Sequence, residues 1–177
     1  ILKAEGVQVP EIAKQVGTPF YLYSASSITR SYAKLAFALS GLKYSISYAV
    51  KANSNIAILK HLGSLGAGMD IVSSGEYLRA KSAGIAGDRI VFSGVGKTMD
   101  EMAIAIEGGI KQFNVESESE LTALNSVAKN LGKLIPIVIR VNPDIDALTH
   151  EKISTGRSDN KFGIPYSEAV EFFEKAS

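Results

Sequence analysis

The sequence predicts an α/β fold built from repeated strand–turn–helix units, and three observations carry that expectation. Five short runs rich in β-branched and apolar residues recur along the chain, mostly apolar on both faces as buried parallel strands should be. Between them lie segments with apolar residues three and four positions apart, the helical spacing. Three of the helix starts pair a hydroxyl residue with a glutamate three positions on: Ser73 with Glu76, Thr98 with Glu101 and Ser117 with Glu120. In such a capping box, hydroxyl and carboxylate satisfy backbone N–H groups that the first helical turn leaves unpaired.

Taken in order, residues 18–23 (TPFYLY) read as a leading strand, and residues 26–39 as the first helix. A strand over 44–50 follows, then a helix carrying Ile56, Leu59 and Leu62 on one face. Residues 69–72 form the next strand, and Ser73 opens a helix that Gly84 closes. The strand at 90–92 leads to the Thr98 helix, with Met102 and Ile106 inward, and Gly108–Gly109 end it. The strand at 112–115 leads to the Ser117 helix, ended by Gly132, and a fifth run covers 135–141. Glycine suits each of these ends because it tolerates the left-handed conformation that closes a helix. Residues 144–160 form a long polar stretch without periodicity, and loops of that length are usually functional or disordered. The turns at Lys51, Ser73, Ser93, Glu116 and Asn142 are nearly evenly spaced. A complete (β/α)₈ barrel takes about 250 residues, so five units leave two readings, an open sheet or the first part of a barrel.

Composition narrows the function. Nineteen basic against 18 acidic side chains leave a net charge of +1, too little for a nucleic-acid or membrane-surface patch. There is no cysteine, hence no disulfide, thiolate zinc site or cysteine nucleophile. With only two histidines, a histidine-rich metal centre is not expected. No run approaches the roughly eighteen apolar residues of a spanning helix, and the first residues lack the form of a signal peptide. A soluble, cytoplasmic protein is expected. The chain begins at Ile1, which suggests a piece of something longer.

Lys51, in YAVKAN, is the most informative residue. A lysine placed directly after a buried strand loses hydration, which lowers its pKa toward that of a useful amine nucleophile. Such lysines form Schiff bases with carbonyl compounds, pyridoxal phosphate among them. The competing reading is a lysine that snorkels from a strand end to solvent. The stretch SGVGKT, at 93–98, resembles a phosphate-binding P-loop, but that motif needs a glycine where Val91 stands. Nucleotide hydrolysis is therefore not expected. An anion-binding role for Lys51 and Lys97 in an open α/β domain is the non-enzymatic alternative. His61, in ILKHLG, reads as a helix-surface residue. His150 lies in the polar stretch and could titrate near neutrality.

YAVKAN, then GAGMDIVSSGE, VIRVNP and HEKISTGRSDNKFGI, in this order and spacing, resemble the fold-type-III pyridoxal-phosphate decarboxylases. The last stretch is most similar to the diaminopimelate decarboxylases; YAVKAN alone would also admit ornithine and arginine decarboxylases. The resemblance implies a (β/α)₈ barrel of the alanine racemase type, of which this chain holds the first five or so βα units. Residues 1–25, with their leading strand, would associate with a β-domain, and residues 26–177 would form the N-terminal part of the barrel. It implies that Lys51 is the catalytic lysine that holds pyridoxal 5'-phosphate, and that Asp70 and Arg140 lie near that cofactor unless they serve as buried structural ion pairs. It implies no metal, an amino-acid substrate, and a homodimer at full length. Decarboxylation of meso-2,6-diaminopimelate to L-lysine would be the reaction. A decarboxylase of ornithine-like or arginine-like substrates, or a non-catalytic pyridoxal-phosphate-binding protein, would be the alternatives. Lys161 would be structural or at a subunit interface, and His150 would belong to the loop motif rather than stack on the cofactor. The glycine-rich phosphate loop and the acidic partner of the pyridine nitrogen have no counterpart here, so an inactive N-terminal portion is expected. Its open sheet edges would favour self-association.

Overall fold

A computed structural model describes residues 1–143, 145 and 162–176. The chain opens with a small antiparallel hairpin, β1 (Lys3–Ala4) and β2 (Val7–Gln8), followed by α1 (Val9–Val16). Glu5 sits at the hairpin turn with φ +50°. Its carboxylate accepts hydrogen bonds from the Ser24 hydroxyl and, at 2.7 and 2.8 Å, from the Ser26 amide and hydroxyl. Those bonds, Ser24's above all, hold its pKa below the usual glutamate range. They also tie the hairpin to the start of α2 (Ala25–Ala38), where Ser24 is the cap.

Five strands then alternate with helices: β3 (Ser47–Ala49), α3 (Ile56–Ser64), β4 (Gly68–Ile71), α4 (Ser74–Ser82), β5 (Ile90–Phe92), α5 (Met99–Glu107), β6 (Gln112–Val115), α6 (Glu118–Asn130) and β7 (Ile137–Ile139). The strands pair in chain order, every neighbour parallel. Each helix from α2 to α6 packs on the next, so the helices form one layer on one face. A doubly wound sheet reverses its strand order and carries helices on both faces. Monotonic order with a single helical layer is the winding of a (β/α)₈ barrel, and that decides between the two readings of the sequence.

The run continues past Arg140 as β8 (Val141–Asn142), which pairs in parallel with β9 (Ile164–Pro165), and α7 (Ala169–Ala176) follows. The polar stretch from 146 to 160, with His150 in it, and Lys161 lie outside the described residues.

The core sits between sheet and helices. Met69, Ile71, Phe92, Phe113 and Val115 face Leu59, Met102, Ile106 and Leu124, and all are essentially inaccessible. The Phe92 and Phe113 rings stack with centroids 5.6 Å apart. Burying side chains of this size is worth about 1.5–3 kcal/mol each, which makes this seam the main source of stability.

The helix starts follow the expected chemistry with one variation. Thr98 and Glu101 form a complete capping box. At Ser73 and Ser117 the hydroxyl caps the glutamate amide as expected, but the glutamate reaches one residue further back, to Val72 N–H at 2.8 Å and Glu116 N–H at 3.1 Å. The backbone differs accordingly: φ is −160° and −158° at these two serines and −85° at Thr98. Gly84, Gly109 and Gly132 take positive φ at the helix ends. Gly108 does not; a Cβ there would fall 1.6 Å from the Tyr77 hydroxyl, so any larger residue would displace the Tyr77 side chain.

Two strand expectations are corrected. Residues 18–23 begin in a bend at Thr18 and Pro19 and join no ladder among the described residues; Tyr21 stands in solvent, stacked on Tyr23. The first barrel strand is shorter than 44–50, because β3 has a ladder partner on one side only and turns into a 3₁₀ segment, Val50–Ala52.

Candidate active site

Strand alternation decides what the sheet shows on its other face. In β4 and β6, Met69, Ile71, Phe113 and Val115 point to the helices, so Asp70, Gln112 and Asn114 point away from them. The expectation of strands apolar on both faces is therefore corrected: β4 and β6 are apolar toward the helices and polar toward the open face. Asp70 is partly buried and accepts a 2.6 Å hydrogen bond from Ser93 Oγ. Ser93 Oγ in turn accepts from Asn114 Nδ2 at 2.8 Å, and Asn114 Oδ1 accepts from Gln112 Nε2 at 2.9 Å.

Lys51 stands in the 3₁₀ turn just past the C-terminal end of β3, two residues beyond Ala49, the cross-strand partner of Asp70. It is exposed, so the desolvation expected from a buried strand end does not arise: the chain leaves the sheet before Lys51 and carries it to the rim. Among the described residues its ammonium has no hydrogen-bond or ion-pair partner. Arg140 follows β7, three strand intervals from Asp70, or roughly 14 Å along the sheet. The two do not pair. Arg140 instead bonds Glu116 through Nη1 at 3.0 Å and lays its guanidinium over the Phe162 ring at 4.9 Å. Glu116 is buried, and its other oxygen accepts from Gly94 N–H at 2.9 Å. One carboxylate thus fixes both the turn after β5 and the side chain after β7.

Lys97 is the counterexample to Lys51. Its side chain is fully inaccessible, and its ammonium donates to Gly94 O, Asn114 O and Glu120 Oε1 at 2.7, 2.8 and 2.6 Å. An ammonium has three donors, so none remains for a phosphate. His61 is tied to Thr29 at 2.8 Å across α2 and α3. No group of three or more His, Cys, Asp or Glu side chains among the described residues could hold a metal ion. A groove of about 520 Å³ lies along the outer edge of β3, lined by apolar residues such as Ile28, Tyr32 and Ile58, and Lys51 is not part of it.

Lys51, Asp70 and Arg140 thus all stand toward the C-terminal ends of the parallel strands, the rim at which barrel chemistry assembles. Residues 25–177 match the family of the pyridoxal-dependent decarboxylase, pyridoxal binding domain, and the chain belongs to that family. It is 50% identical to the diaminopimelate decarboxylase of Pseudomonas aeruginosa over 176 residues. The crystal structure of diaminopimelate decarboxylase from Helicobacter pylori complexed with L-lysine superposes with TM-score 0.92 at 46% identity over 96% of this chain and 43% of that one. The crystal structure of diaminopimelate decarboxylase from M. jannaschii in co-complex with L-lysine gives TM-score 0.85 at 38% identity, over 97% of this chain and 42% of that one. The chain spans about 42% of the length of the curated relatives it matches. The cofactor of this family is pyridoxal phosphate.

Sequence reasoning missed Glu116 as a partner for Arg140, and missed Gln112 and Asn114 altogether. The signal was present in QFNV, residues 112–115, where polar and apolar residues alternate with the period of a strand that has one wet face.

Proposed function

We propose that the protein carrying this chain decarboxylates meso-2,6-diaminopimelate to L-lysine, with pyridoxal 5'-phosphate held by Lys51. The observation that carries the proposal is the contrast between two lysines at the same rim: Lys97 is sealed with every donor used, whereas Lys51 is exposed and reachable by an aldehyde. The substrate reading draws on relatives near 50% identity named for diaminopimelate and on solved relatives complexed with L-lysine.

The residues present fit the cofactor. Lys51 would supply the amine that bonds its aldehyde, and Asp70 and Arg140 would supply opposite charges near the ring. Bound there, pyridoxal phosphate supplies an electron sink that lets a carboxylate leave as carbon dioxide. The chain's own residues do the rest. Lys51, on a short exposed turn, would hold the cofactor's aldehyde end and would carry a proton at Nζ. Asp70 is held by Ser93. Arg140 is held by Glu116 and Phe162, with 40% of its side chain still accessible.

In this reading residues 1–25 associate with a β-domain, the protein is a cytoplasmic homodimer, and Lys51, Asp70 and Arg140 are its site residues here. The test is turnover: carbon dioxide and lysine released from diaminopimelate, with ornithine and arginine as competing substrates. Release from diaminopimelate well above the other two is expected. Turnover of ornithine or arginine alone would overturn the substrate assignment.

A further inference from the structure

We infer that Ser93, Asn114 and Gln112 are positioning residues for Asp70, a directed relay that fixes one oxygen of its carboxylate. The inference rests on the reading above that Asp70 faces the cofactor. Its direction follows from donor arithmetic. Ser93 has one proton, and the 2.6 Å contact gives it to Asp70 Oδ1. Its oxygen can then only accept, and it does so from Asn114 Nδ2. That turns Asn114 Oδ1 outward, where Gln112 Nε2 fills it. Three neutral side chains from two neighbouring strands therefore feed donors toward a single carboxylate, and among the described residues Asp70 Oδ2 is left without a partner.

Packing alone does not ask for this arrangement. The same strands solve their other face with Met69, Ile71, Phe113 and Val115, and replacing a bonded polar pair by apolar groups of the same shape is close to neutral for stability. What an apolar face cannot do is set the angle of a carboxylate. Asp70 stands level with Ala49, two residues before Lys51, so the pinned carboxylate lies on the strand next to the one that leads into the lysine's turn.

The test is a double-mutant cycle on the holoenzyme, read as the dissociation constant of pyridoxal phosphate and as the fraction of Lys51 fixed by borohydride. Ser93→Ala is expected to weaken cofactor retention on the order of tenfold, the loss of one hydrogen bond to a charged group. Ser93→Thr, which keeps the hydroxyl, is expected to restore it. Asp70→Ala is expected to weaken retention at least as much, and Ser93→Ala added to Asp70→Ala is expected to cost nothing further. Equal losses from Ser93→Ala in both backgrounds would show that Ser93 does not act through Asp70, which sinks the relay and leaves the site reading standing. No loss from Ser93→Ala alone would do the same. No loss from Asp70→Ala would remove the site reading itself, and the relay with it. Melting curves of each variant separate these outcomes from a general loss of folding.

Discussion

The two faces of one sheet do different work. Toward the helices, Met69, Ile71, Phe92, Phe113 and Val115 are sealed and close-packed; toward the open side, Asp70, Ser93, Gln112 and Asn114 are polar, partly buried and joined into one network. Positions one residue apart in β6 thus belong to the packed core and to the polar network in turn, as the period-two geometry of a strand allows. The lesson is that neighbouring substitutions should move different observables.

The largest expected effect breaks the apolar face. Phe113→Ala should cost about 3–5 kcal/mol, since a fully buried, stacked ring leaves a cavity; Asn114→Ala beside it should cost about 1 kcal/mol while reducing cofactor retention. Chemical denaturation of the two variants checks this, and equal destabilisation would erase the contrast. The two lysines sharpen it next. Lys97→Met strips Glu120 of its buried counter-charge and should cost about 3 kcal/mol. Lys51→Met should stay within about 0.5 kcal/mol of the parent yet abolish cofactor fixation. A smaller effect belongs to the helix starts: Thr98→Ala should lose about 1 kcal/mol of stability in a melting experiment.

The smallest effect is a pH dependence. Burial raises the Glu101 pKa, but hydrogen bonds from the Ser74 and Thr98 amides and hydroxyls outweigh it, so the carboxyl lies below the usual glutamate range. A carboxyl depressed in the folded state adds stability above its unfolded pKa and loses it as pH falls through the folded pKa. Glu101→Gln should therefore lower stability at neutral pH and flatten its decline in acid. An unchanged acid limb in denaturant titrations at successive pH values would count against that role.

The sealed face was legible in the sequence because its signals are local: apolar runs, hydroxyl–glutamate pairs and closing glycines all stand within a few residues of the element they define. The open face was not, because it is made by pairing residues far apart in the chain. Asp70 and Ser93 are 23 positions apart, and Glu116 and Arg140 are 24. Lys51 was recognised from its motif, and the alternative of a lysine reaching solvent from a strand end foresaw its exposure; the choice between the two was not legible, since it depends on where the ladder with β4 stops. TPFYLY was misread for a related reason: β-favouring residues make a strand only where a neighbour offers hydrogen bonds.

The central proposal is that Lys51 is the lysine that takes a carbonyl cofactor, and that Lys97 is not. Incubation with pyridoxal phosphate, borohydride reduction, digestion and mass mapping test it most directly. The account predicts label concentrated on Lys51 and none on Lys97. Label spread evenly over the exposed lysines, with no preference for Lys51, would contradict it.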